Sequence, residues 1–367
     1  MTLAAALILN GVPVVMSDLL ITFERGPEDR RLSLPTTGPL SLLSGPRRMI
    51  HGLRQKLFIV ADNLVIAYAS GDVDRTVAGL EGLRSLAATR ALAWDEVEKF
   101  LLTRRSLAVD GFVGFFAEAS LDGSFCIRRI QVRGESFIAG NVGAVGAVGS
   151  GVNLLREACG RIGEFGTLPS GLQALSKVAS MCGIITRWEH ATQEPVTSYS
   201  TGGAFEVAYF RGGKFQKAEL TFAVWDAEVE GGNIRLNGPF LLIKTKYLGD
   251  VLLVDCARAE CEATQDEPVT YKLHTHLCPP PYSRSPDPTV ALPKYIDFSS
   301  ELTQHSILIS RGEDRDLTCV VETGPSGLSP VDAQGGFHTP IPASPGLLDS
   351  LCAAIDASPL GRRTAQM

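Results

Sequence analysis

No stretch of the chain reaches eighteen unbroken apolar residues without a turn signal, which argues against a membrane-spanning helix. Positive charge is also scarce. Lys and Arg number 34 against 40 Asp and Glu, a formal net charge of −6, so the basic footprint of a general nucleic-acid binder is missing. The eight cysteines are scattered at 126, 159, 182, 256, 261, 278, 319 and 352, with no CxxC pair. That pattern speaks against a disulfide framework or a zinc knuckle and reads as reduced, mostly buried thiols of a cytoplasmic protein. The apolar N-terminus lacks a basic leader and is broken by Asn10-Gly11-Val12-Pro13, so it does not read as a secretion signal. Gly140–Gly146 is glycine-rich, yet no Gly-Lys-Ser/Thr closes it into a phosphate loop. What is present, 45% hydrophobic and 20% charged residues over 367 positions, is an ordinary globular composition with room for two or three domains.

The first positive signal is Thr2, directly behind Met1. With Met1 removed, its hydroxyl would sit beside a free α-amine of intrinsic pKa ~7.7–8.0, a recognised way to activate a threonine nucleophile. Two hairpins give Thr2 its setting. Asn10-Gly11 separates the apolar runs Leu3–Leu9 and Val12–Asp18, the strongest short-range signal of a two-residue turn. Pairing across that turn puts Leu3 opposite Asp18 and Thr2 opposite Leu19, so a carboxylate falls beside the chain terminus. The second hairpin joins Lys56–Ala61 to Leu64–Ala69 through Asp62-Asn63, with Lys56 opposite Ala69 and the turn Ser70-Gly71 next to it.

These residues resemble the proteasome-type, HslV-like branch of the N-terminal nucleophile (Ntn) hydrolases, over about residues 2–225. The resemblance rests on Thr2, Asp18 and Thr22 at the family spacing, and on Lys56 opening a strand that leads to Ala69-Ser70-Gly71. Further on, Gly149-Ser150-Gly151 follows the strands around Asp110–Phe116 and Phe125–Ile130, and Ser200-Thr201-Gly202-Gly203 precedes the strand Ala204–Phe210. The family's aspartate before that last turn is replaced, with Ser198 nearest. The stretch Glu24–Gln55 is longer than the family's and carries four prolines, and no basic residue follows Asp18 closely.

The resemblance implies an amide-bond hydrolase, a threonine-type peptidase with catalytic residues Thr2, Asp18, Lys56 and Ser150. It implies an oxyanion hole from the backbone N–H of Ser70 or Gly71, substrate contacts from Thr22, Tyr68 and Asp72, and a peptide or amide substrate. No metal or organic cofactor is required, and the chain would assemble into homo-oligomeric rings in the cytoplasm, with no nucleic acid or membrane partner. Two alternatives stay open: a non-catalytic proteasome-fold structural or binding subunit, and an Ntn amidohydrolase acting on a small amide. Ser150 either orients the terminal amine or caps the helix that starts beside it.

Periodicity adds a helical pair over 72–105 and helices over Gly151–Ile162 and Ser170–Trp188. Strands and helical layers in this order, which is also the family's, predict an α+β, four-layer αββα sandwich over 1–230. Residues 231–367 read as a β-rich C-terminal extension, with strands at Phe240–Lys244, Val251–Asp255, Ser306–Ser310 and Leu317–Glu322, a proline-rich loop, and a helix over Gly346–Ala357. His274, His276 and Cys278 share one strand face and the donor types of a zinc set, but a fourth ligand of matching spacing is missing.

Overall fold

The computed structural model describes residues 2–24, 33–36, 38–39, 48–104, 107, 110–163, 168–192, 201–231, 233–259, 271–282, 295–324, 327–328, 331–332 and 343–362. The chain forms two compact units, one of residues 1–218, 247–252 and 277–288, the other of residues 219–246, 253–276 and 289–367.

The first unit begins with β1 (Leu3–Leu9) and β2 (Val12–Asp18), paired with Leu9 opposite Val12 and Ala4 opposite Ser17, the register read from the turn. Asn10 and Gly11 both take positive φ, 51° and 78°, as a two-residue primed turn requires. Next come β3 (Leu20–Glu24), β4 (Ser33–Leu34), β5 (Gly38–Pro39) and β6 (Arg48–Leu53), with β3 paired to β6. The second hairpin is β7 (Leu57–Ala61) and β8 (Leu64–Ala69). Helices α1 (Val73–Thr89) and α2 (Trp94–Thr103) follow, then β9 (Gly111–Ala119), β10 (Phe125–Val132), β11 (Glu135–Ala139) and β12 (Gly143–Gly149). The unit continues with α3 (Val152–Gly160), α4 (Ser170–Thr192), β13 (Phe205–Arg211) and β14 (Lys214–Ala218).

Two antiparallel sheets result, in the orders β11-β12-β1-β2-β13-β14 and β10-β9-β8-β7. Their facing sides share one apolar cluster in which Ala4, Ala6 and Val15 of the first sheet meet Val65, Ala67 and Phe115 of the second. The other side of the four-stranded sheet packs under α1 and α2 through Phe58, Tyr68, Leu80, Leu83 and Val97. A central strand covered on both sides reads as a continuous apolar run rather than an alternating one. Residues 3–7 of β1 are accordingly all fully buried.

The remaining strands are β15 (Leu220–Glu230), β16 (Asn233–Leu248), β17 (Val251–Ala259), β18 (Tyr271–Cys278), β19 (Tyr295–Ile296), β20 (Leu302–Arg311), β21 (Asp314–Thr323) and β22 (Val331–Asp332), all of the second unit except residues 247–248, 251–252 and 277–278, which belong to the first. The second unit closes with α5 (Pro345–Ala357) and α6 (Pro359–Arg362). The main sheet runs β18-β17-β16-β15-β20-β21, with β15 and β20 parallel. Trp225, Phe298, Ile307, Leu347, Leu351 and Ile355 belong to its core.

This corrects the fold class expected from the sequence, an α+β four-layer αββα sandwich with a β-rich extension. Among the described residues strand accounts for 50% and helix for 28%, in multiple antiparallel sheets, so the chain is mostly β. The sequence understated the strands because breaker residues concealed them. Phe240–Lys244 is the middle of a 16-residue strand whose Gly238-Pro239 reads as a terminator.

The second hairpin is corrected too. Leu57 pairs with Ala67 and Phe58 with Ile66, but Ala61 pairs with Leu64, and the register shifts between Ile59 and Ala61. One extra residue on β7 at Val60 moves Lys56 opposite Tyr68, whose N–H donates to the Lys56 carbonyl at 3.2 Å, instead of opposite Ala69.

Candidate active site

Thr2, Asp18 and Lys56 meet at one end of the first unit, all at most 2% exposed. Their meeting follows from three pieces of backbone. The Asn10-Gly11 turn carries Asp18 back to the start of β1, where its Oδ1 accepts the Leu3 N–H at 2.9 Å. Lys56 arrives from the other sheet, at the threshold of β7. The turn after β12 closes the third side: Leu3 pairs with Gly149, and the Gly151 N–H points to the Thr2 carbonyl at 3.5 Å.

The Lys56 amine has three acceptors: Thr2 Oγ1, Asp18 Oδ1 at 2.7 Å and the Leu20 carbonyl at 2.5 Å. Three acceptors match the three N–H groups of an ammonium. Thr2 Oγ1 itself donates to Asp18 Oδ1, while Asp18 Oδ2 accepts the Gly202 N–H at 3.0 Å. Burial holds the Lys56 amine below its ordinary pKa, opposed by the nearby Asp18 and Glu206 carboxylates. At this depth of burial each charge acts on its neighbours more strongly than at a surface.

Ser70 and Gly71 follow Ala69 at the end of β8. Ala69 comes close to the site: a Cβ built on Gly149 would lie 1.8 Å from the Thr2 carbonyl oxygen and 3.4 Å from the Ala69 Cβ. The Ser70 hydroxyl has a structural task, accepting from Asp72 N at 2.9 Å and from Thr76 Oγ1 at 2.7 Å. Thr76 Oγ1 also lies 2.6 Å from the buried Asp110 carboxyl, whose pKa is raised by burial. This cluster pins the turn to the first turn of α1. Gly71 is exposed, with open space where a side chain would be.

Other expected site residues lie elsewhere. Tyr68 is 1% exposed within the core beneath α1 and α2, its hydroxyl reaching the Gln55 carbonyl at 3.4 Å, and burial raises its pKa. It faces the core, not a substrate. Asp72 is the N-cap of α1, accepting the Arg75 N–H at 3.1 Å. Thr22 lies on β3 opposite Ile50, with its side chain outside the described residues. Ser150 sits in the turn before α3, next to Gly151, the N-cap of that helix. Ser198 lies outside the described residues.

Two buried carboxylates escaped the sequence reading. Glu206, on β13 opposite Ser17, is fully buried, and its Oε1 accepts from Ser17 Oγ at 3.0 Å, Leu57 N at 2.6 Å and Lys56 N. Its Oε2 accepts from Lys217 Nζ at 3.1 Å and lies 3.4 Å from the Tyr247 hydroxyl. Glu189, on α4, accepts the Gly203 N–H at 2.9 and 3.1 Å and is pushed up to about 8 by burial, against hydrogen bonds that lower it. For Glu206 one signal was available, a lone carboxylate in the apolar run Ala204–Ala208, which is rarely buried without partners; Glu189, between Trp188 and His190, gave none.

Among the described residues no group of three or more His, Cys, Asp or Glu side chains is placed to hold a metal ion, and no helix is long and apolar enough to cross a membrane. His274 and His276 lie 6.5 Å apart by ring centroid on β18, and burial, then the neighbouring His274, lowers His276 to about 4. No protein-family model matches the chain, and no curated protein matches it in sequence.

Proposed function

We propose that the chain is an amide-bond hydrolase of threonine-peptidase type, with Thr2 as its N-terminal nucleophile once Met1 is removed. The observation that supports it most is the convergence of Thr2 Oγ1, the Lys56 amine and the Asp18 carboxylate in a buried setting. In this reading Thr2 Oγ attacks the scissile carbonyl while the α-amine takes the hydroxyl proton. The Lys56 ammonium favours the developing alkoxide, and Asp18 keeps Lys56 charged and aimed. Backbone N–H groups of the Ser70-Gly71 turn receive the oxyanion, an interaction of ~3–4 kcal/mol in comparable sites. Ser150, in the turn that borders Thr2, orients the amine. The amine then returns its proton to the leaving group, and water hydrolyses the Thr2 ester.

Intact-mass measurement reports whether Met1 is removed, and labelling with a threonine-directed β-lactone, alongside Thr2→Ala, reports the nucleophile. A retained Met1, or equal labelling of Thr2→Ala, overturns the proposal.

A further inference from the structure

We propose that Glu206 is the positioning residue of this site, a buried carboxylate that holds the threshold of β7 to β2, fixing the Lys56 amine against Thr2, and whose negative charge helps keep that amine an ammonium. The proposal rests on the hydrolase reading for its catalytic consequence, but its physical content concerns Lys56 alone.

The geometry is specific. One oxygen, Oε1, gathers two backbone N–H groups from β7, of Lys56 and Leu57, and the hydroxyl of Ser17 from β2. Ser17 is the neighbour of Asp18, and β7 and β2 belong to different sheets. A single carboxylate therefore ties the lysine's backbone to the strand that bears the lysine's counter-charge. The residue before Lys56 is clamped in the same way. Gln55 accepts from Lys217 Nζ at 2.6 Å, and its Nε2 donates to the carbonyls of Asp250 at 2.8 Å and Cys278 at 3.0 Å. Lys217 thus bridges Gln55 and Glu206, and its amine stands 4.6 Å from the Tyr247 ring centroid.

Two carboxylates and two amines alternate here, Asp18 with Lys56 and Glu206 with Lys217. Such balance is what allows charges to stay buried. The titratable groups facing Glu206 are Lys217, Lys56, Tyr247, Tyr68 and Cys278. Its negative charge raises the Lys56 pKa against the stronger effect of burial, and so helps keep the amine protonated. An acceptor needed only for the backbone could be an uncharged amide.

Glu206→Gln and Glu206→Ala separate the charge from the acceptor. Lys56 is titrated by NMR in protein carrying isotope-labelled lysine, its signal assigned by loss in Lys56→Arg, and the β-lactone labelling rate of Thr2 is followed across pH. In Glu206→Gln the Lys56 titration and the falling limb of labelling move to lower pH. Glu206→Ala, if it folds, labels at least ~10-fold more slowly at neutral pH as well. An unchanged Lys56 titration in folded Glu206→Gln overturns the proposal, whatever Glu206→Ala does. If wild type is not labelled at Thr2, the hydrolase reading falls, and the NMR titration still decides the role of Glu206.

Discussion

Lys56 is held with three acceptors around one amine and 1% of its surface exposed, so its protonation governs both stability and reactivity. Thr2 labelling should rise with pH as the α-amine loses its proton near ~7.7–8.0. It should fall again as the Lys56 ammonium is lost, at a pH below the ordinary lysine value of 10.5. Lys56→Arg, which stays charged, should abolish the falling limb in the same assay. Lys56→Ala leaves Asp18 buried without its cation and should destabilise the protein by ~3–5 kcal/mol in chemical denaturation. Glu189 supplies a second pH test. Its pKa is raised from 4.5 to about 8, so the folded state keeps a proton that the unfolded chain releases within that window. Stability is therefore fullest below the window and declines as pH rises through it. Denaturant titrations at about pH 5 and about pH 8.5 should show that decline in wild type and a much flatter response in Glu189→Gln.

At the scale of elements, the turns carry the site. Gly149 has φ 100° and no room for a Cβ beside the Thr2 carbonyl. Gly149→Ala should cost roughly 2–4 kcal/mol by denaturation, from strain and overpacking together, and should slow Thr2 labelling beyond what the stability loss explains. In the second unit, α5 buries Leu351 completely, and Leu351→Ala should cost ~2–5 kcal/mol. The hairpins differ in how far the sequence exposed them. Asn10-Gly11 permits one tight turn, and its register was countable. Asp62-Asn63 marked its turn as well, but nothing in Leu57–Ala61 announces the extra residue at Val60 that moves Lys56 from Ala69 to Tyr68. A bulge is selected by packing on both faces of the strand, which local composition does not report.

For the whole molecule, the hydrolase proposal carries an expectation of self-assembly, since the resembled family works as rings. Light scattering should then give a mass several times the 39.2 kDa of one chain, and a monomeric, β-lactone-reactive protein would separate the chemistry from the assembly. The sequence by itself determined the first hairpin, with Asp18 beside Thr2, and the order of the helices. Each follows from local rules, a turn that needs positive φ or an apolar period, that act within a few residues. The tertiary structure decided the rest. It made the chain mostly β by extending strands through residues that read as breakers, and it turned Tyr68 into core and Asp72 into a helix cap. It also brought Glu206, 150 residues from Lys56 in sequence, onto the lysine's own backbone. Buried charge explains that division. A carboxylate or an ammonium leaves water only where partners from distant strands meet it, and the identity of those partners is set by how the two sheets pack.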